Sequence, residues 1–211
     1  MTIDRAGYPF IGGTAVLAVL AAVAVGAALA VPLILLTFFF VFFFRDPDRE
    51  SPQDPRLVLS PADGRVLVSG KADASAAPPG EWKQISIFLS PMDVHVNRSP
   101  VSGRVTKVDF RPGRFLPAYH QSAAAQNERS EVWVDHRGGP VVFRQLVGIL
   151  ARRVVCRTTP GAELKAGERF GIMKFGSRMD VFLPPSAELQ VSVGDKVVGG
   201  VTVIAVLGPR P

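Results

Sequence analysis

From Pro9 to Phe44 the chain runs for 36 residues without an Asp, Glu, Lys, Arg or His, and is built mainly of Ala, Val, Leu and Phe. A stretch like this calls for lipid around it rather than a water-soluble core. As one straight helix it would be about 54 Å long, against a hydrocarbon core of roughly 30 Å. Two segments are therefore expected, with Gly26 and Pro32 offering the break, in a transmembrane or re-entrant helical hairpin. A cleaved secretory leader does not fit, since its apolar core is only about 15 residues long. Nor does a small-residue cleavage site precede Arg45. Cations on both flanks, Arg5 before the run and Arg45 and Arg49 after it, predict both ends on the cytoplasmic face of the cell membrane. The expected division is a membrane anchor over 1–44 and a second domain over 45–211.

The second domain carries the whole formal charge of +6, because Asp4 and Arg5 cancel. A basic domain at a bilayer is drawn to anionic headgroups. No nucleic-acid motif and no basic stripe interleaved with aromatics is present, so a nucleic-acid partner is not expected. The single cysteine, Cys156 in VVCR, has no second cysteine to pair with and no histidine at metal spacing, and no metal site is expected.

Beyond the Pro-rich SPQDP, short β-branched runs alternate with Gly, Pro and Asp. Strands are expected at Arg65 to Ser69, Lys83 to Leu89, Gly103 to Phe110, Glu131 to Asp135, Val141 to Leu150, Arg152 to Arg157, Phe170 to Phe175, Met179 to Leu183, Leu189 to Val193 and Thr202 to Val206. The fold class is mainly β. Two short repeats refine it. Ser60-Pro61-Ala62-Asp63-Gly64-Arg65-Val66 recurs as Ser99-Pro100-Val101-Ser102-Gly103-Arg104-Val105, and Gly161-x-x-Leu164-x-x-Gly167 recurs as Gly194-x-x-Val197-x-x-Gly200. The second is the turn chemistry of a lipoyl-like barrel-sandwich, with two similar β-layers closing on one another. The segment from Pro112 to Arg129 has no clear period and reads as a loop with a short helical turn, long enough to serve as a lid or lipid-contacting flap.

Near the C-terminus stands Phe175-Gly176-Ser177-Arg178-Met179-Asp180-Val181-Phe182-Leu183-Pro184, a Gly-Ser pair between apolar strand residues. Glycine reaches backbone conformations barred to other residues, so a strained Gly176-Ser177 peptide would present its carbonyl carbon to the Ser177 hydroxyl. The run LVGILARRVVCRTTPGAELKAGERFGIMKFGSRMDVFLP resembles the C-terminal half of the shorter, archaeal-type phosphatidylserine decarboxylases. FRDPDR, SPADG and SPMDVHVNRSPVSG extend the resemblance over roughly Phe44 to Leu207, in the family's order.

The resemblance implies a proenzyme that cleaves itself between Gly176 and Ser177, leaving a large chain (1–176), a small chain (177–211) and a pyruvoyl cofactor made from Ser177. The two chains would stay together as a heterodimer, with a higher oligomer left open. The implied reaction is decarboxylation of phosphatidylserine to phosphatidylethanolamine through a Schiff base with that group. By the same resemblance His95 is the acid/base group, and Asp63 orients a histidine for cleavage, giving an Asp, His, Ser arrangement with Ser177. Read without the resemblance, Asp63 is a turn aspartate before glycine. Longer family members carry H-x-x-H where this chain has His95 and Arg98. Arg98 is a candidate for the substrate's phosphate or carboxylate, and His120 in the loop is a candidate helper.

Two other readings share these residues. A non-enzymatic barrel-sandwich carrier would use Met173-Lys174 as a modified pair, but leaves SPADG, DVHVNRSP and FGSRMDVFLP without a purpose. A different serine-headed lipid, such as one with an ether-linked core, would need the same headgroup chemistry.

Overall fold

Gly26 takes φ +107, a conformation open to glycine and strained for other residues, and the apolar run folds back on itself there. The computed structural model describes residues 1–120, 122–149, 154–174 and 176–208, in two units, Met1–Asp48 and Arg49–Pro211. In the first unit β1 (Thr2–Ile3) leads through a 3₁₀ turn (Arg5–Gly7) into α1 (Tyr8–Ala24), and α2 (Ala27–Phe43) returns to β2 (Arg45–Asp46). Each 17-residue helix is about 26 Å long. Pro32, the other expected break, lies inside α2.

Small residues, Ala18, Ala21 and Ala30, are buried in this unit and let the two backbones approach. The Thr14 and Thr37 hydroxyls meet 2.9 Å apart across the helix pair. Phe10 packs against Phe40 and Phe44, each with centroids 5.4 Å apart. Val16, Leu17, Val19, Leu20 and Val23 on α1, and Leu29, Leu35 and Phe38 on α2, point outward. Among the described residues one helix, Arg5–Ala24, is long and apolar enough to cross a membrane, and the Ala27–Phe43 helix is apolar but shorter. Antiparallel pairing of β1 with β2 brings both ends of the hairpin together, so Arg45 and Asp46 belong with the helices.

The second unit is mainly β. Its strands in chain order are β3 (Leu57–Leu59), β4 (Gly64–Lys71), β5 (Lys83–Leu89), β6 (Val96–Arg98), β7 (Gly103–Arg111), β8 (Arg129–His136), β9 (Gly139–Leu146), β10 (Val154–Cys156), β11 (Glu163–Leu164), β12 (Arg169–Met173), β13 (Ser177–Leu183), β14 (Glu188–Leu189), β15 (Lys196–Val197) and β16 (Val203–Val206). One short helix, α3 (Ala123–Gln126), interrupts the long segment between β7 and β8. Eight strands form an antiparallel sheet ordered β11-β7-β8-β9-β13-β5-β4-β15. Two three-stranded sheets, β10-β12-β6 and β14-β16-β3, accompany it. Leu150, Arg152, Arg153 and Phe175, included in three of the expected strands, lie outside the described residues.

Alternation along the strands decides what is buried. Ile85, Ile87, Leu89, Val132, Val134, Val141, Phe143, Met179, Val181 and Leu183 share one core, joined by Val58, Phe170, Met173, Ile204 and Ala205 from the smaller sheets. Phe143 and Phe170 meet edge-on at 4.8 Å.

The repeats make the sheet nearly two-fold symmetric about its β9–β13 seam. Leu59 donates its N–H to Pro100 and Arg98 to Pro61, so the two SP turns exchange hydrogen bonds. Gly200 donates to Ser60 as Gly167 donates to Ser99, and β15 pairs with the start of β4 as β11 pairs with the start of β7. Gly167 and Gly200 pack around the Ser51 hydroxyl, where a β-carbon on Gly167 would clash.

Burial pushes the His136 imidazole below its ordinary range, and its Nδ1 accepts the Gly138 N–H at 2.9 Å, a bond that needs that nitrogen unprotonated. The unfolded chain therefore binds the proton more readily than the folded one, and stability falls as pH drops below about 6.5 toward the folded-state value. Denaturant midpoints measured across this window should fall with pH in the parent and fall less in His136→Gln.

Candidate active site

Ser177 opens β13, the strand clasped by β5 on one edge and β9 on the other. It pairs with Leu89, is fully buried, and points to the core face together with Met179 and Val181. Among the described residues its hydroxyl has no hydrogen-bond partner. Leaving such a group unpaired costs about 1–3 kcal/mol, which a purely structural serine would avoid. Directly before it, Gly176 sits at φ +71. The Gly176 carbonyl packs against the α-carbon of Gly148, where any β-carbon would collide with the carbonyl oxygen. The peptide before Ser177 is thus held in a glycine-only conformation by a second glycine.

Gln145 is a second buried polar group on this face, and Asn97 on β6 meets it from a smaller sheet. Gln145 pairs in register with Met179, so it stands diagonal to Ser177, at about 7–8 Å in a regular sheet. Its Nε2 donates to Asn97 Oδ1 at 2.8 Å. Gln145 Oε1 and Asn97 Nδ2 have no partner among the described residues. A small carbonyl-bearing group at residue 177 would therefore meet amide donors and acceptors as well as hydrocarbon, and these side chains suit one.

His95 is fully buried between β5 and β6. Its Nδ1 lies 2.9 Å from the Asp93 carbonyl, which can only accept, so Nδ1 carries a proton and, in the neutral ring, the lone pair is on Nε2. The His95 carbonyl takes the Met173 N–H, four residues before Ser177. Histidine and serine thus approach the same end of the sheet.

Asp63 is placed differently from the expected triad. Arg49 holds both of its oxygens, at 2.6 and 2.8 Å, and the Gly199 N–H adds a third bond at 2.8 Å. Among the described contacts, the Asp93 carbonyl holds the His95 ring. The repeat explains part of this: Ser102, the counterpart of Asp63, accepts the Ala166 N–H at 2.9 Å just as Asp63 accepts that of Gly199. Asp63 differs by its charge, which Arg49 neutralises. Arg98 is also buried, donating to the Gly167 carbonyl at 3.0 Å with its stem against Gly200. His120 is exposed in the loop after β7, with Nδ1 2.8 Å from the Ser122 hydroxyl.

That loop is pinned over the site. The buried Asn127 amide donates to Leu116 and Val147 and accepts from Leu116. This ties the loop to the residue before Gly148, and Ala118 contacts the Gly148 position. Met92, Phe110, Phe115, Tyr119 and Ile149 are exposed on the segments at this end of the sheet. Large apolar side chains gathered around one end of a β domain suit contact with lipid.

The family model for phosphatidylserine decarboxylase matches residues 36–205. The chain belongs to the phosphatidylserine decarboxylase family. It is 44% identical to the phosphatidylserine decarboxylase proenzyme of Chlorobaculum parvum over 179 residues, 85% of this chain and 83% of that one. It is 41% identical to the proenzyme of Desulfotalea psychrophila, covering 96% and 95% of the two chains, and 43% identical to that of Geotalea uraniireducens, covering 95% and 94%. In this member of the family, sequence reasoning missed Gln145, Gly148 and Asn127. Gln145 was discoverable, as a polar residue in the core-facing series Val141, Phe143, Gln145. Gly148 and Asn127 act through contacts that no local pattern announces.

Asp63→Ser should keep the Gly199 bond, as Ser102 does in the other repeat, and strand Arg49, whose side chain is 9% exposed. A loss of about 2–4 kcal/mol is expected in denaturant unfolding, partly recovered in Arg49→Leu/Asp63→Ser.

Proposed function

We propose that the chain is a proenzyme that cuts its own Gly176–Ser177 bond and then converts phosphatidylserine to phosphatidylethanolamine, with the pyruvoyl group left at residue 177 as its covalent cofactor. The observation that carries this reading is the buried, partnerless Ser177 hydroxyl, one peptide bond beyond a left-handed glycine whose carbonyl is braced by Gly148. Membership of the family supplies the reaction class.

In the first stage the Ser177 Oγ attacks the Gly176 carbonyl carbon as His95 Nε2 takes its proton. The amide becomes an ester. Elimination across Cα–Cβ of residue 177 releases the Gly176 carboxylate, and water replaces the dehydroalanine nitrogen, which leaves as ammonia. In the second stage the pyruvoyl carbonyl supplies an electron sink for the pair released as carbon dioxide departs. Asn97 and Gln145 hold the new carbonyl end, His95 moves the proton, and the buried position of residue 177 excludes water. His120 on the flap is the proposed contact for the substrate's oxyanions. Arg98 contributes from within, through the Gly167 turn it supports.

The division into an anchor and a catalytic domain follows from the apolar hairpin, and the domain's proposed location is the cytoplasmic face of the cell membrane. Arg5 and Arg45 at the hairpin's paired ends, with Arg49 following in sequence, favour that side. The large and small chains remain a heterodimer because β13 is bonded on both edges to strands of the large chain.

Intact mass and release of labelled carbon dioxide from phosphatidylserine test the proposal together. The parent should give two chains and product, whereas Ser177→Ala should give one chain and none. Gly148→Ala should fold and cleave at least tenfold more slowly. An uncut parent that still decarboxylates would overturn the mechanism.

A further inference from the structure

On the sheet face opposite Ser177, β7, β8 and β9 line a cleft of about 550 Å³ closed on one side by the 75–79 segment. Four cations face it: Lys107, Arg111, Arg129 and Arg144. Two carboxylates accompany them, and both are committed. Glu131 takes Arg144 Nε and Nη2 at 2.9 and 2.5 Å and Trp133 Nε1 at 2.8 Å. Asp109 is shared between Arg111 at 3.0 Å and Lys107 at 3.5 Å. Arg129 has no carboxylate partner among the described residues. Its Nη1 reaches the Ala125 carbonyl, and its buried Nε has no partner among the described residues.

The register makes this cluster costly without a ligand. Arg111 stands directly opposite Arg129 in the β7–β8 ladder, a cross-strand pair of like charges that destabilises a sheet. Burial lowers the affinity of Arg129 for its proton, and the neighbouring Arg144 and Arg111 lower it further. A pair of adjacent guanidinium groups with donors to spare is the arrangement that recognises phosphate oxygens through paired N–H bonds. The cleft is larger than one phosphate, leaving room for what the phosphate carries.

We propose that this cleft is a second binding site, distinct from the Ser177 site, for a phosphate-bearing anion held between Arg111 and Arg129, with Lys107 at its rim. The phosphate is carried by a glycerophospholipid headgroup or is free in solution. This inference stands apart from the decarboxylation reading, because the cleft and Ser177 occupy opposite faces of the sheet.

The test uses the full chain in detergent micelles, with inorganic phosphate and monomeric dihexanoyl phosphatidylglycerol as separate probes. Each is titrated by calorimetry and by melting temperature against chloride at matched ionic strength. At least one probe should bind and raise the melting temperature. Phosphate alone would assign the site to the free anion, and the lipid alone to the headgroup. Arg129→Gln and the exposed Arg111→Gln should each weaken binding tenfold or more, yet melt no lower than the parent in probe-free buffer, since each removes a like-charge pair. If neither probe outcompetes chloride, or if both variants bind as the parent does, the proposal is wrong.

Discussion

The site proposed for this domain depends on β13 being bonded along both edges. From Ser177 to Leu183 it exchanges backbone bonds with β5, and from Arg178 to Phe182 with β9. A strand in that position cannot shift by one residue without moving Met179, Val181 and Leu183 out of the core. The peptide before Ser177 is thereby fixed relative to Gly148, and Met173, four residues earlier, bonds the His95 carbonyl. Arg178 and Asp180 lock the opposite face, bonded to each other at 2.6 Å, with Arg178 reaching the Ser86 hydroxyl on β5 at 2.9 Å.

The near two-fold arrangement separates what is structural from what is chemical. Both halves use the same SP turn, the same pair of glycine-bounded turns and the same exchange of backbone bonds. What only one half carries stands out against that background. His95, Asn97 and Arg98 occupy positions that the other repeat fills with Arg56, Val58 and Leu59. The side chains proposed for chemistry thus stand in one copy of the repeated frame.

Much of this was legible in the sequence because the determinants are local. The uncharged run, Gly26 at its middle and the two repeats each impose their geometry through a few neighbouring residues. Lys83–Leu89 is a strand at the predicted bounds, and the Pro112 to Arg129 loop contains its short helix. Two-residue strands such as Glu163–Leu164 and Lys196–Val197 escaped notice because only their partners, β7 and β4, make them strands. Asp63 shows the same limit: its neighbours suggest a turn, and Arg49, fourteen residues away, is visible as its partner only in three dimensions. The carrier reading built on Met173-Lys174 gives way to membership of the decarboxylase family.

On the proposed reading the cut falls at the end of a central strand in an already complete fold, so that severing the chain leaves the sheet intact. Native mass spectrometry and circular dichroism of the processed protein through a denaturant series test it most directly. The account predicts that the small chain leaves only at the denaturant concentration where the β-sheet signal collapses. Release of the small chain well below that midpoint, with the sheet signal unchanged, would contradict it.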